Sequence, residues 1–578
     1  MLPQRSPSPI PTHRISLPPG HFLSLPPSYA DQTPSYPSGI PSTSAHTSQG
    51  LAPNVASLAS ADFEVDVRTG FLPAERNVDR LPVEWDLWEE ALRAARGEGV
   101  GDGLRLGGGR EREALWRKGI ESMPILSTTN LRISLPLLRR AHVVLAFLLH
   151  FYVHTFPSPT PRQTPLPIPA SISNPLLTVS SLVGLPPILT YADTVLYNFH
   201  SLDPSLPPAL PSNPPKTALA SFTNTRSEEQ FYIISALCEI AGAEALRLMR
   251  QSLDELFLAD ELALRRLTVY LRKLARQIDR IADVTSSMIG EIVPEEFYHL
   301  IRPWFRGGDA DGPDSQGWLF GSSDQDLITW EAENKAGRGK KGKLFSGPSA
   351  GQSSLIHAID IFLTVDHRQR SSPRGPQPDV QHTDEISTSS TETNGDSPAA
   401  MRITLDHTPI SDAKSQPTEA TFVERMLQYM PLQHRTFLLH LSTNPTPLRS
   451  VVVAHAESHP QLADAYDTAL EALKGFRERH MRVVSVFIVQ QARRTPSERV
   501  RRLLGQMDSI SEYDPSSVID NKLNVSQELV RGEIKEDGEL RGTGGTALFK
   551  FLKMCRDDTT RAMVSRSAGK LYDLEKGE

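Results

Sequence analysis

The chain has 578 residues, a formal net charge of −7 and 47 prolines, and 39% of it is hydrophobic. That length can fill more than one core, while the proline count and modest apolar fraction place substantial segments outside any core. Mild acidity gives no reason to expect nucleic acid or an anionic membrane as a partner, and two cysteines, Cys238 and Cys555, exclude a disulfide framework or a cysteine-rich metal centre.

In chain order, residues 1–60 are rich in Pro, Ser and Thr without apolar periodicity and are expected to be disordered. The opening MLPQRSPSPIPTHRISLPPG has no continuous apolar run, so no secretory leader is expected; with two unpaired thiols, the expected location is the cytoplasm. LPVEWDLWEEALRAAR at 81–96 has helical periodicity, as does LRISLPLLRRAHVVLAFLLHFYVH at 131–154. The most apolar run, AHVVLAFLLHFYVHTF, is short for a bilayer and carries three histidines, which predicts a buried helix. Long helical patterns follow at 228–257 and 261–292, then at 422–430, 434–442 and 462–491. Alternating strands are scarce and no βαβ rhythm is present. The predicted class is therefore all-α, with a small N-terminal α domain at 61–210 and a large helical domain at 211–578. Polar insertions are expected near 306–346, 366–418 and 494–540.

The stretch GPSAG at 347–351 fits G-x-S-x-G, the nucleophile elbow of serine hydrolases. An elbow needs an apolar strand before the serine, and NKAGRGKKGKLFS is basic and glycine-rich instead. Leu355, Ile359, Phe362 and Leu363 follow at helical spacing, so the segment reads as a loop entering a helix. Ser349 is not expected to be a nucleophile. Small residues here would let the backbone approach a flat ligand.

Among the histidines, His480 shares an apolar stripe with Leu462, Tyr466, Leu470, Leu473, Phe476, Val483 and Phe487. A histidine in that position is either a satisfied core residue or an axial ligand to haem iron. His150 and His154 have the spacing of a helical metal pair without a third ligand, and His434 can order its own helix. Periodicity does not choose among these.

Seven collinear segments together resemble the indoleamine 2,3-dioxygenase family of haem enzymes. They are LPPILTYAD (185–193), FYIISALCEIAGAEA (231–245), FYHLIRPWFRG (297–307), GPSAGQSS (347–354), YMPLQHRTFL (429–438), RERHMRVVSVFI (477–488) and RGTGGTALFKFLKMCRDDT (541–559). The resemblance runs from about Asp62 to the C-terminus apart from the insertions. It implies cleavage of the indole C2–C3 bond of L-tryptophan by O2, giving N-formylkynurenine, with one haem b per chain and an electron donor that keeps the iron ferrous. His480 would be the proximal iron ligand, with Asp360 and Arg477 on the same side. Tyr191, Phe231, Ser235 and Phe297 would line the indole pocket, and Arg302 would bind the substrate carboxylate. Ser349 and Ala350 would lie near the haem edge, and Thr543 near the substrate ammonium, on a mobile glycine-rich segment. With Ser235 at the matched pocket position, the resemblance implies no obligatory side-chain acid or base. A monomer without membrane attachment is expected. The rival expectation is a haem-binding sensor or scaffold that does not turn tryptophan over.

Overall fold

The computed structural model describes residues 63–98, 102–108, 110–157, 164–310, 315–321, 342–367, 422–504 and 548–564. The expected tail at 1–60, most of each expected insertion and Thr543 lie outside those residues.

Ten helices of nine residues or more occur among the described residues. They are α1 (Asp86–Arg96), α2 (Glu111–Ser122), α3 (Leu135–His154), α4 (Ala170–Val183), α5 (Arg226–Leu258), α6 (Glu261–Ser286), α7 (Ser354–Phe362), α8 (Leu432–Ser442), α9 (Pro460–Val484) and α10 (Leu548–Arg561). The strands are minor: β1 (Leu166–Pro167) pairs in parallel with β4 (Trp318–Leu319), and β2 (Phe199–Ser201) pairs antiparallel with β3 (Pro215–Ala218). The all-α expectation holds. Helices α2 and α4 were not among the expected elements.

Local chemistry explains where the long helices begin. At the start of α5 the Thr225 hydroxyl accepts from the Glu228 backbone N–H at 3.2 Å. The Glu228 carboxylate turns back to the N–H groups of Phe222 and Thr223 at 2.7 and 2.6 Å. Donors that have no intrahelical partner are satisfied in both directions, in the manner of a capping box. Asp260 caps α6 through Ala263 N–H at 2.7 Å. Between the two helices Ala259 adopts φ +51°, so α5 and α6 form a tight antiparallel pair.

Helix α3 is long and apolar enough to cross a bilayer by composition, yet 89% of its apolar window is buried inside the fold. Its polar residues are matched there. Arg140 donates to both Glu89 oxygens at 2.9 and 2.6 Å, and His142 Nδ1 lies 2.6 Å from Asp193. Buried charge is tolerable only with such pairing.

Two apolar clusters result. The first gathers α1 to α4 around the N-terminal half of α5, with Phe297 and Phe487. The second gathers the C-terminal half of α5 with α6, α7, α8 and most of α9. Helix α9 passes from one to the other: Leu462, Tyr466, Leu470 and Leu473 are fully buried in the second cluster, while Val483 belongs to the first. Phe476 and His480 fall between them, where the walls of a cavity begin.

Candidate active site

The cavity has a volume of about 300 Å³. Its lining includes Tyr191, Phe231, Ser235, Phe297, Arg302, Ser349, Ala350, Asp360, Arg477 and His480. Residues from five separate stretches of sequence thus meet in one place. Of the expected site residues, only Thr543 lies outside the described chain.

One wall is built on α5. Phe231, Ser235 and Glu239 stand on successive turns at four-residue spacing and all face the cavity. The Ser235 hydroxyl donates to the Phe231 carbonyl at 2.8 Å, which commits its proton to the helix. The Phe231 ring lies 4.8 Å from that of Phe297, and Phe297 meets Phe487 edge-on at 5.7 Å. Arg302 is 3% exposed, and its guanidinium carbon sits 5.6 Å from the centre of the Tyr298 ring. It is a buried cation, not a surface charge.

Three π-helical turns carry parts of this lining: Ala192–Leu196, Phe297–Ile301 and Ser485–Val489. The wider turn bulges the backbone and redirects side chains, which is how Val195, Phe297 and Phe487 come to face inward. The first of these turns is anchored by Asp193, which accepts from Thr190 N–H at 2.8 Å and from its hydroxyl at 2.7 Å. That contact, with His142 on the other side, accounts for the sequence LTYAD.

The GPSAGQSS loop closes over this wall. A side chain at Gly347 would place its Cβ 1.7 Å from the Phe305 carbonyl, so the loop crosses the 305–307 segment backbone to backbone. Ser349 accepts from Gly351 N–H at 3.2 Å and caps a single 3-10 turn, Ala350–Gln352, with no strand leading into it. A nucleophile elbow is not formed. Gln352 fastens the loop by accepting from Tyr191 N–H and donating to the Gly347 carbonyl, both at 2.8 Å. Ser353 and the Tyr191 phenol both donate to Glu239 Oε1, at 2.7 and 2.9 Å.

The facing wall belongs to α9, α7 and α10. His480 stacks against Phe476 at 6.3 Å and has no hydrogen-bond partner among the described residues. Burial, with a smaller contribution from the Arg477 charge, pushes it down to about 4, so the imidazole is neutral and its lone pair is free. Arg477 donates to both Asp360 oxygens at 2.5 and 2.7 Å, and to the Cys555 carbonyl at 2.9 Å. His367 Nε2 lies 3.2 Å from Asp360, and its Nδ1 lies 2.9 Å from Asp558. Burial alone would raise Asp360, but the charges of Arg477 and His367 overcome it and hold the carboxyl at about 2. His367 is raised to about 9: Asp360 outweighs the effect of burial.

The other histidines are accounted for structurally. His150 Nδ1 bonds the Trp304 carbonyl at 2.7 Å and His154 Nε2 the Arg306 carbonyl at 3.0 Å, so their i, i+4 spacing serves packing. His434 is buried beside Phe71, their ring centres 4.8 Å apart. Among the described residues no group of three or more His, Cys, Asp or Glu side chains is placed to hold a metal.

Sequence reasoning passed over Glu239, His367 and Asp558. Glu239 was legible in principle, as an acid one turn beyond Ser235 on an apolar face. His367 and Asp558 had no such signal, because their pairing spans 191 residues.

A profile of the family described as Indoleamine 2,3-dioxygenase matches residues 59–562. Indoleamine 2,3-dioxygenase 1 of Mus musculus is 26% identical over 78% of this chain and 85% of its own length. The indoleamine 2,3-dioxygenase of Saccharomyces cerevisiae is 28% identical over 73% and 77%, and one from Aspergillus candidus is 29% identical over 87% and 97%. The matched span contains every residue of the cavity wall, from Tyr191 to Cys555. With a helical fold and a cavity in which His480, among the described residues, is the imidazole without a hydrogen-bond partner, this chain belongs to the indoleamine 2,3-dioxygenase family.

Proposed function

We propose that the chain cleaves the indole C2–C3 bond of L-tryptophan with O2 to give N-formylkynurenine, using one haem b held through His480. The carrying observation is the unpartnered, neutral His480 imidazole opposite a wall that presents Phe231, Phe297 and Arg302. A lone imidazole cannot hold iron by itself, and no cluster of protein ligands accompanies it among the described residues. A haem would bring its own ring nitrogens to the iron and would need a single protein imidazole, which His480 would supply from the lining of this largely apolar cavity. When bound, the haem supplies the iron chemistry that activates O2.

The chain's own part is binding and orientation. The Arg302 guanidinium can take a carboxylate in two parallel hydrogen bonds. Phe231, Phe297 and the ring of Tyr191 offer edges and faces to an indole. Tyr191 and Ser353 donate to Glu239 and Ser235 donates to its own helix, so these hydroxyls are not placed as general bases. Arg477 and Asp360 hold α9 against α7 and α10, which fixes the direction of His480. An external electron donor keeping the iron ferrous, a cytoplasmic setting and a single-chain working unit complete the reading. Two free cysteines and a site furnished by one chain support it.

The test is an aerobic assay of haem-loaded protein with L-tryptophan and a reductant. N-formylkynurenine should form. Haem bound through His480 without any product would replace this reading with that of a sensor or scaffold.

A further inference from the structure

Among the cavity-lining residues, Glu239 alone has a sealed polar atom without a hydrogen-bond partner, its Oε2. The residue is 2% exposed. Its other oxygen, Oε1, accepts from two hydroxyls that come from distant parts of the chain: Tyr191, 48 residues before it, and Ser353, 114 residues after it. Among the described residues no cation reaches the carboxyl. Burial raises it to about 7, and the two neutral donors only partly oppose that.

The geometry makes this oxygen a junction of three elements. Helix α5 supplies Glu239, the stretch entering the first π-helical turn supplies Tyr191, and the loop before α7 supplies Ser353. Tyr191 and the loop are also tied to each other through Gln352. Without the acceptor at Glu239, the two buried hydroxyls would be left with each other alone, and the ring and loop that carry them would be less firmly held.

We propose that Glu239 is a positioning residue for the aromatic substrate. It holds the Tyr191 and Ser353 hydroxyls on one acceptor, which fixes the tyrosine ring and the closed loop that the wall shows to a ligand. It acts through those residues and not by contact with the reacting atoms. Among the described residues, His480, Arg477 and Asp360 share no hydrogen bond with this junction. The effect should therefore fall on substrate affinity and leave the His480 side of the site intact. This inference rests on the proposed tryptophan-binding role of the cavity.

The experiment uses haem-loaded full-length protein and compares wild type, Glu239→Ala and Glu239→Gln. Glutamine keeps an oxygen acceptor for both hydroxyls; alanine removes it. L-tryptophan affinity is read by calorimetry and KM and kcat by the aerobic assay, with the absorption spectrum recorded for each protein. Alanine should weaken tryptophan binding and raise KM by about tenfold or more, with kcat changed by less than about threefold. Glutamine should restore most of that loss, and the spectra should coincide. A wild-type KM in the alanine variant, or a glutamine variant as impaired as alanine, overturns the proposal. If Glu239→Ala does not fold, Tyr191→Phe and Ser353→Ala each delete one donor. Each should raise KM, and the two effects should be less than additive in the double variant; full additivity overturns the proposal. Wild-type protein that binds no tryptophan at all would instead count against the proposed function.

Discussion

Asp360 and Glu239 are both buried carboxyls on one cavity wall or the other, 9% and 2% exposed, yet Asp360 is held at about 2 while Glu239 rises to about 7. Burial pushes both upward, so burial cannot explain the difference. Partners do. Asp360 is met by the Arg477 guanidinium and by His367, which carries its proton up to about 9. Glu239 meets only two neutral hydroxyls. One side of the cavity is therefore an ionic brace behind the His480 helix, while on the other the Glu239 carboxyl stands among neutral donors beside aromatic rings.

Breaking the brace should have the largest effect. Asp360→Ala leaves the buried Arg477 cation without its anion and His367 with Asp558 alone, which should cost about 3–5 kcal/mol in urea unfolding. Asp360→Asn, which keeps some hydrogen bonds, should cost less.

The next two predictions separate the walls by the sign of their pH dependence. His367 moves from 6.5 in the unfolded chain to about 9 in the folded one, so its contribution is complete below about pH 6.5 and lost as pH rises through about 9. His367→Gln should be less stable than wild type by up to about 3 kcal/mol near pH 6, with the gap closing above about pH 9. Glu239 moves from 4.5 to about 7, so the folded protein keeps a proton that the unfolded chain releases. Wild-type stability should then fall through that window, and Glu239→Gln should exceed it by about 3 kcal/mol near pH 8 and by almost nothing near pH 4. Thermal melts of the three proteins across that range check both signs.

Ser235→Ala should have the smallest effect. Its hydroxyl serves a carbonyl of its own helix, so stability should change by less than about 1 kcal/mol, and kcat should stay within about threefold of wild type. A large loss in kcat would mean that the Ser235 proton leaves the helix during turnover.

Much of the fold was legible because the long helices obey their period. The stripe that runs from Leu462 along α9 and on to Phe487 carries His480, which the structure has in the cavity lining. Helix α4 escaped because Pro175 and several serines interrupt its apolar pattern, and α2 because EREALWRKGIES mixes charge into every turn. The π-helical turns leave no signal in spacing, since an extra residue per turn is selected by the surrounding packing. Site residues came from matched motifs, and the structure brings all the described ones to one cavity. The proximal brace was only half read: Arg477 lies within a motif and Asp360 on the helix just after one, whereas His367 stands at the edge of a polar tract and meets Asp558 only after the chain has folded.

The most direct test of the central claim is the absorption spectrum of the haem-reconstituted protein beside His480→Ala. This account predicts a Soret band in wild type that is lost or displaced in the variant, with L-tryptophan perturbing the wild-type spectrum. Identical spectra in the two proteins, or no haem retained by wild type, would contradict it and return His480 to the role of a core histidine.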